Sequence, residues 1–524
     1  MKLLLNPLCF RTLLMSVLVC LSCQVHAQLI EYSMTHQINL GLSDVIIRDN
    51  GDYLFTASAI SPTYDSIMAL TILTNSSFEV QQVNRYKSLN EDDFSCALQL
   101  SNGNYLVAGA MRQNFNTTEG AGFYMLNEAG EVLLSRRYTE EHDDRMLEMY
   151  EQSDSTWMFF VREGVNNKPT KIFHVNNQGD ILSQRIYLFD NIGVFAETVC
   201  ADGLGAYYMC GRAWNMDTQT YDLFVCAVND QQMLWYKTFG FGRDVTCYAN
   251  TFEPGGDLVI AGNIVDAQAE LTSNTFILRL DSNGDYQSCF EYYRDETLTE
   301  FVYDIHPDGN GNVIVSGQYY TLEGADGLLY KVDGDGNVLW AHRYEGTGYD
   351  GVGWFRVLPD GKLLISAASG YKWLLIADSD GNSACSSYDV PLLMNALTPS
   401  IMTSTPDADT PDMTAITPDY QIMADSVTTA ELCTSTLIDS PFTVSDWTLY
   451  PSPAGDYLNI APGTLKHDRN EAIITNALGS IVMRKSLDLA HDRQLRVAHL
   501  PPGVYYLTLL NDDRVVGTQA FVKE

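Results

Sequence analysis

The stretch Asp308-Gly-Asn-Gly-Asn-Val-Ile-Val-Ser-Gly317 sets the architecture of the chain. It reads as a tight turn, an alternating apolar run and two small residues. Aligned on its turn glycine, related stretches fall at Gly51, Gly103, Ser155, Gly205, Gly256, Gly311 and Gly361, spaced by 52, 52, 50, 51, 55 and 50 residues. Seven units at this period predict an all-β fold, a seven-bladed β-propeller with one four-stranded blade per unit.

In the second unit the strands are read as Phe94–Leu100, Tyr105–Ala110, Gly122–Leu126 and Val132–Tyr138. The turn between third and fourth strands recurs as Asn127–Gly130, Asn176–Gly179, Asp281–Gly284, Asp333–Gly336 and Asp378–Gly381. An opening Asx and a closing Gly suit a type I turn with a G1 bulge. Each second strand ends in a small pair, such as Ala108-Gly109, Cys210-Gly211, Ala261-Gly262 and Ser316-Gly317, read as room for neighbouring blades to approach. The third unit, with Ser155 at the turn and Phe160-Val161 at the pair, is the degenerate one. Leu29–Gln37 resembles a fourth strand and is expected to complete the seventh blade, which would close the ring and remove exposed sheet edges.

Outside the ring the composition changes. Residues 386–440 are rich in Thr, Ser, Pro and Asp, carry a net −8 with no Lys or Arg, and read as an extended linker. Residues 441–524 return to short strands with turn signals every ~10 residues, the pattern of a small β-sandwich. The N-terminus reads as a secretory signal. Lys2 and Arg11 precede or flank the apolar Leu13–Cys23, and Val25-His26-Ala27 offers cleavage between Ala27 and Gln28. Cys23 is a lesser candidate for lipid attachment. The domain plan is therefore signal peptide 1–27, propeller 28–385, linker 386–440 and sandwich 441–524.

The net charge of −35 argues against nucleic acid and anionic membrane as partners. No stretch is long and apolar enough to span a bilayer, and a monomer is expected. Three of the 11 cysteines lie in the signal. Cys96, Cys200, Cys210, Cys226, Cys247 and Cys289 read as buried thiols in strands. Cys385 and Cys433 bracket the linker and could form a disulfide in an oxidising location.

The last ~80 residues, a span typical of a small domain, resemble the C-terminal sorting domain of proteins exported by the type IX secretion system of certain Gram-negative bacteria. The matching residues are Leu449-Tyr450-Pro451-Ser-Pro453-Ala-Gly-Asp456-Tyr-Leu458-Asn-Ile460 and Ala477-Leu-Gly479-Ser-Ile-Val482. They continue with Leu500-Pro-Pro502-Gly503-Val-Tyr505-Tyr-Leu507 and the terminal Ala520-Phe521-Val-Lys523. Ser452 and Ser480 depart from the family's usual residues. The resemblance implies periplasmic entry through the signal peptide and outer-membrane export by the type IX machinery. It further implies removal of the domain, and release or attachment to surface glycolipid. The repeats resemble a bacterial propeller family, in Leu339-Trp-Ala-His-Arg-Tyr-Glu-Gly-Thr-Gly-Tyr-Asp350 and Trp235-Tyr-Lys-Thr-Phe-Gly-Phe-Gly-Arg-Asp244; that names an architecture with many functions.

No catalytic motif stands out. Gly346-Thr-Gly348-Tyr-Asp-Gly351 matches a dinucleotide fingerprint in letters only, because a strand rather than a helix follows it. Asp281–Asp285 and Asp333–Asn337 resemble calcium loops without the sixth-position glycine or distal glutamate, so turn chemistry is favoured and calcium is the sole cofactor kept open. Acidic residues recur before the first strand of a blade, at Asp92, Asp144, Asp244, Glu300 and Asp350; loop-structuring work is favoured over a cation-binding ring. The candidate ligand face lies where the repeats differ. Arg162, Arg212, Asn263 and Gln318 follow the small pair in successive blades, and Phe115, Trp214, Tyr319 and Tyr320 belong to the adjoining loops. Aromatic plates among hydrogen-bonding groups suit a carbohydrate or an extended peptide; the alternative is solvated strand ends with the aromatics packed down. The leading expectation is a secreted or surface-attached binding or adhesion module for a glycan or protein ligand. A polysaccharide-active enzyme with carboxylates at the propeller mouth, or a structural part of the secretion or motility machinery, are the alternatives.

Overall fold

The computed structural model describes residues 29–35, 39–60, 67–87, 91–112, 119–139, 144–153, 155–163, 170–188, 194–266, 272–294, 299–320, 324–344, 350–369, 371–384, 387–403, 407–409, 414–416, 421–424, 428–435, 448–451, 453–461, 470–476, 481–487, 493–511 and 514–523. Their regular secondary structure is entirely strand. Two compact units result, one covering Leu29–Ser435 and one containing the C-terminal region from Thr436.

The first unit is the propeller. Blades 1 to 6 each take four consecutive strands, from Asn39–Ile47 in blade 1 to Val338–Tyr344 in blade 6. Blade 7 takes Asp350–Val357, Leu363–Ser369 and Tyr371–Ala377, and its fourth strand is Leu29–Thr35, with Ile30 opposite Ile376. The ring thus closes as the sequence predicts.

The seven aligned turn residues explain the repeat. Gly51, Gly103, Gly205, Gly256, Gly311 and Gly361 all have φ between 83° and 105°, and Ser155 adopts 63° at the equivalent place. The left-handed conformation costs a residue with a Cβ more than glycine, so the degenerate blade keeps the turn at some expense.

Every innermost strand carries a β-bulge at the same position. The register slips between Leu42 and Asp44, Phe94 and Cys96, Met146 and Glu148, Ala196 and Thr198, Cys247 and Ala249, Val302 and Asp304, and Val352 and Phe355. The small pair lies opposite this bulge. A Cβ on Gly109, Gly211 or Gly317 would lie 1.8, 1.8 or 1.9 Å from the carbonyl oxygen of Asp93, Phe195 or Phe301. Those carbonyls belong to the glycine's own blade. In these blades the glycine makes room for the backbone of its own blade, not for the neighbouring one; blades 1, 3 and 7 carry the bulge opposite Ala57, Val161 and Ala367 instead.

Blades are joined by a different device. A buried tyrosine of the fourth strand donates its hydroxyl to the turn glycine carbonyl of the next blade: Tyr86 to Gly130 (3.2 Å), Tyr138 to Gly179 (3.0 Å), Tyr292 to Gly336 (2.9 Å) and Tyr344 to Gly381. Apolar clusters fill the space between successive sheets; one joins Val259 and Ile277 of blade 5 to Val302, Val315 and Leu328 of blade 6.

The segment read as a linker is no linker. Ser387–Asp389 pairs with the outermost strand of blade 6, Leu393–Ala396 with blade 5, and Ser400–Thr403 with blade 4. Asp407–Asp409, Thr414–Ile416 and Gln421–Ala424 continue onto blades 3, 2 and 1, and Thr428–Ser435 ends on Leu29–Thr35 in blade 7. The chain retraces the ring in reverse as a belt, giving each blade a fifth strand. From Leu393 onward the belt strands begin every seven residues, and seven extended residues span ~23 Å, one step from blade edge to blade edge. The physical reason is the unpaired edge that a four-stranded blade leaves at its rim. Polar Thr/Ser/Asp segments can satisfy such an edge without burying apolar surface, so their composition imitates a linker. The propeller unit accordingly runs to Ser435 rather than to 385.

The C-terminal unit is a sandwich. Thr448–Tyr450, Tyr457–Ala461 and Gln494–Arg496 form one sheet; Ile481–Leu487, Asn470–Asn476, Gly503–Asn511 and Arg514–Lys523 form the other, in that order. Leu458 and Leu495 from the first meet Ile474, Leu507 and Phe521 from the second in one core.

Candidate functional site

The structure separates the predicted face residues into inward and outward groups. Asn263 and Tyr319 are buried. Asn263 donates to Ser273 Oγ (2.9 Å) and the Glu300 carbonyl, and accepts from Val302 N–H (3.1 Å), so it stitches blade 5 to blade 6. Tyr319 lies under the Arg294 guanidinium, 4.1 Å from the ring centroid. Gln318 is half-buried against Gly351 of blade 7. Phe115 lies outside the described residues, as do Ala27, Gln28, Cys385 and Gly479; Cys433 falls in the last belt strand, opposite Glu31.

The outward group, Arg162, Arg212 and Tyr320, keeps part of its surface exposed. Arg162 of blade 3 pairs with Glu197, the bulge residue of blade 4. Arg212 of blade 4 lies between the rings of Phe195 (5.0 Å) and Tyr221 (4.8 Å). Tyr248 and Tyr303 occupy the bulge in blades 5 and 6 and are 41% and 42% exposed. Tyr320, also exposed, meets Phe301 edge-on at 5.9 Å. Burial first, then the neighbouring Tyr320 and Tyr248, push the Tyr303 phenol up to about 12. A bulge re-aims the residue it leaves unpaired, and here the innermost strand's free edge faces the channel. Sequence reading missed Glu197, Tyr248 and Tyr303, because only the bulge register marks them as equivalent positions.

Deeper in the channel lies a second set that sequence reading also missed. Arg356 of blade 7 reaches Asp44 of blade 1 and Asp304 of blade 6 (3.1 Å), and lies 2.9 Å from His306 Nε2. Asp44 accepts from Ala97 N–H of blade 2 (3.0 Å), and Asp304 accepts from Phe355 N–H of blade 7 (3.2 Å). Burial acts to raise the Asp304 carboxyl, but His306, Arg356 and the Phe355 N–H outweigh it and hold it below the usual range. Across the channel, burial and then Asp44 push the Glu148 carboxyl up to about 8, against the Met149 N–H and Arg356. Asp44, Glu148 and Asp304 each follow the bulge directly; that alignment was the available signal. Asp44 and Asp304 are spent on neighbouring blades, which makes them clasps.

Three of the recurrent acids before the first strands do structural work. Asp144 pairs with Lys171 at 3.0 Å with both side chains fully buried. Asp92 accepts from Tyr124 Oη (3.2 Å), and Asp244 from Tyr221 N–H (2.8 Å). Burial pushes the Glu300 carboxyl up to about 8 despite the nearby Arg294; the Asp350 side chain is outside the described set. The calcium-like turns are equally occupied. Asp333 Oδ1 accepts from Asp335 and Asn337 N–H, and Asp281 Oδ1 from Asn283 and Asp285 N–H. Among the described residues no group of His, Cys, Asp and Glu is placed to hold a metal ion. The six strand cysteines are buried free thiols.

The sorting-motif residues build the core and edge of the C-terminal sandwich. Leu458 and Phe521 are buried, Tyr505 stacks on Phe521 at 5.7 Å, and Tyr505 Oη donates to the Pro501 carbonyl (2.8 Å). Lys523 bridges Ala454 beside Pro453, and the Asp456 carbonyl accepts from Val497 N–H (2.8 Å). Tyr450 and Pro453 are exposed, as is Pro502 ahead of Gly503. The family model described as "Secretion system C-terminal sorting domain" matches residues 448–524. Those residues are a type IX secretion sorting domain.

A chain with this sorting domain is exported to the cell surface or the extracellular space and engages the secretion machinery. No helix among the described residues is long and apolar enough to cross a membrane. No curated protein matches the chain. Solved structures similar to this chain include a PL25 ulvan lyase bound to a GlcA–Rha3S saccharide, at 11% identity and TM-score 0.43 over 68% of this chain and 97% of that one. The β-propeller domain of the Trilobed protease from Pyrococcus furiosus matches at 8% identity and TM-score 0.40, over 68% and 96%. The polysaccharide lyase Uly1 matches at 10% identity and TM-score 0.40, over 65% and 90%. Likeness at this level is one of architecture alone.

Proposed function

We propose that the exported protein is a binding module, released or held at the cell surface, that takes a glycan across the channel mouth. The observation that carries this reading is the run of exposed tyrosines, Tyr248, Tyr303 and Tyr320, beside the Arg162–Glu197 pair. Sugar rings stack on aromatic faces through their C–H surfaces, while charged and amide groups take the hydroxyls. Asp44 and Asp304 support binding rather than hydrolysis, because backbone N–H groups and Arg356 occupy them.

The test is a glycan array probed with the mature protein, followed by calorimetry on any hit. Binding should fall at least tenfold in Tyr248→Ala/Tyr303→Ala, a change of ~1.4 kcal/mol or more. Binding unaffected by the double substitution, or release of cleaved saccharide from a polysaccharide panel, would overturn the proposal.

A further inference from the structure

A second concavity lies at the rim of blade 4, away from the channel mouth. It has a volume of about 270 Å³ and is walled by Trp214, Met216, Asp222, Tyr236 and Thr238 of the blade, with Met402 of the belt as its outer side. The belt strand Ser400–Thr403 runs along Met233–Gly240 here, so the cavity is complete only with the belt in place.

Its floor holds an unsatisfied group. Asp222 is 2% exposed, and its Oδ2 accepts from Asn215 Nδ2 at 2.7 Å. Oδ1 is buried with no hydrogen-bond partner. Asn215 cannot swing to serve it, because its own Oδ1 accepts from Asp217 N–H (2.9 Å) and Thr218 N–H (3.3 Å). Gly240 packs beside this carboxylate, where a Cβ would come within 2.8 Å of Ser400 Oγ and 2.9 Å of Asp222 Oδ1. A buried carboxylate oxygen without a donor is costly, and Asp222 is one of the residues that line a cavity large enough for a small organic molecule.

The walls specify the donor. Trp214 is braced edge-on by Tyr221 at 4.9 Å, and Tyr221 is itself covered by Arg212. Ring faces, thioethers and one carboxylate together favour a cation on an apolar body. A neutral hydroxyl would satisfy the hydrogen bond but not the charge, and the net −35 of the chain adds a field that draws cations in. We propose that this cavity binds a primary ammonium carried on a compact apolar body, the ammonium pairing with the Asp222 carboxylate. The same chemistry could reach it as a free arylalkylamine or as a lysine side chain.

Titration calorimetry of the full-length protein tests this with phenethylammonium, the neutral 2-phenylethanol and N-acetyl-lysine amide as probes. Phenethylammonium should bind at least tenfold more tightly than 2-phenylethanol, and Asp222→Asn should remove that preference. Comparison with the lysine derivative distinguishes a free amine from a side chain. Met402→Trp, at a half-exposed belt position away from the core, should fill the cavity and abolish binding even if Asp222→Asn folds poorly. Equal affinity for the ammonium and the alcohol, or full binding by Met402→Trp, would overturn the proposal.

Discussion

Arg356, in the innermost strand of blade 7, is ion-paired with Asp44 in the innermost strand of blade 1, 312 residues earlier in the chain. Beside it Trp354 Nε1 donates to the Leu42 carbonyl at 3.4 Å across the same seam. Ring closure therefore has two independent fastenings, the outer pairing of Leu29–Thr35 and this inner clasp. Arg356→Met would leave Asp44 and Asp304 facing each other without their cation. Removing one partner of a partly buried pair costs ~3–5 kcal/mol; screening by channel water should put this case at or below the lower end. Urea unfolding of the two proteins measures it, and an unchanged midpoint would show that the outer pairing alone holds the ring.

Glu148 makes the channel pH-sensitive. Its carboxyl lies at about 8 in the folded protein, against 4.5 for an unperturbed glutamate. The folded state therefore binds the proton more tightly than the unfolded chain does. The associated stability is present below pH 4.5 and is lost as the pH rises through 8. Glu148→Gln stays neutral and should not share that loss. The melting temperature of the variant should gain on the parent between pH 5 and pH 8, by an amount equivalent to ~1–3 kcal/mol. Comparing the two chains cancels the other titrating groups, and parallel curves would sink the assignment.

The glycine at the end of the second strand is fixed by backbone. Gly317→Ala would place a Cβ 1.9 Å from the Phe301 carbonyl oxygen, so that the backbone would have to shift. Overpacking against backbone costs ~1–3 kcal/mol or more. Blade 7 supplies the control, because alanine already stands at the equivalent Ala367 opposite Val352. Ala367→Gly should cost under ~1 kcal/mol, the ordinary penalty for glycine in a strand. Equal losses from the two substitutions would rule out the close backbone as the reason for Gly317.

The repeat was legible because the turn demands φ > 0 at one position in every blade, and glycine, or Ser155, announces it. The fourth strand of blade 7 was legible because Leu29–Gln37 carries a strand pattern with no blade of its own. Of the residues read as a ligand face, Arg162 and Arg212 stay partly exposed, whereas Asn263 and Tyr319 turn inward, since side-chain direction depends on a bulge that shifts the register without leaving a mark in composition. The belt escaped reading for a related reason. Its strands are three to eight residues long, too short for alternation to register, and they rest on an edge that needs backbone partners rather than apolar side chains. Its seven-residue step does show in the spacing of Pro399 from Pro406 and of Pro411 from Pro418, but only once the ring is known.

The belt yields the last prediction. A chain ending at Ala384 keeps the four-stranded blades but uncovers their outer edges, whereas a chain ending at Ser435 loses only the sorting domain. If belt pairing holds the ring together, the shorter chain should melt lower by roughly 5 °C or more, since each kcal/mol lost moves a large domain by a few degrees. It should also self-associate as concentration rises, because open edges pair with one another. Scanning calorimetry and sedimentation velocity measure the two effects. The fastening at the seam sharpens the expectation: Leu29–Thr35 lies between Tyr371–Ala377 and the final belt strand, so removing the belt turns a central strand into an edge. Its amide protons should then exchange faster than those of the innermost strands. If both chains melt together and stay monomeric, the belt decorates a ring that is stable without it.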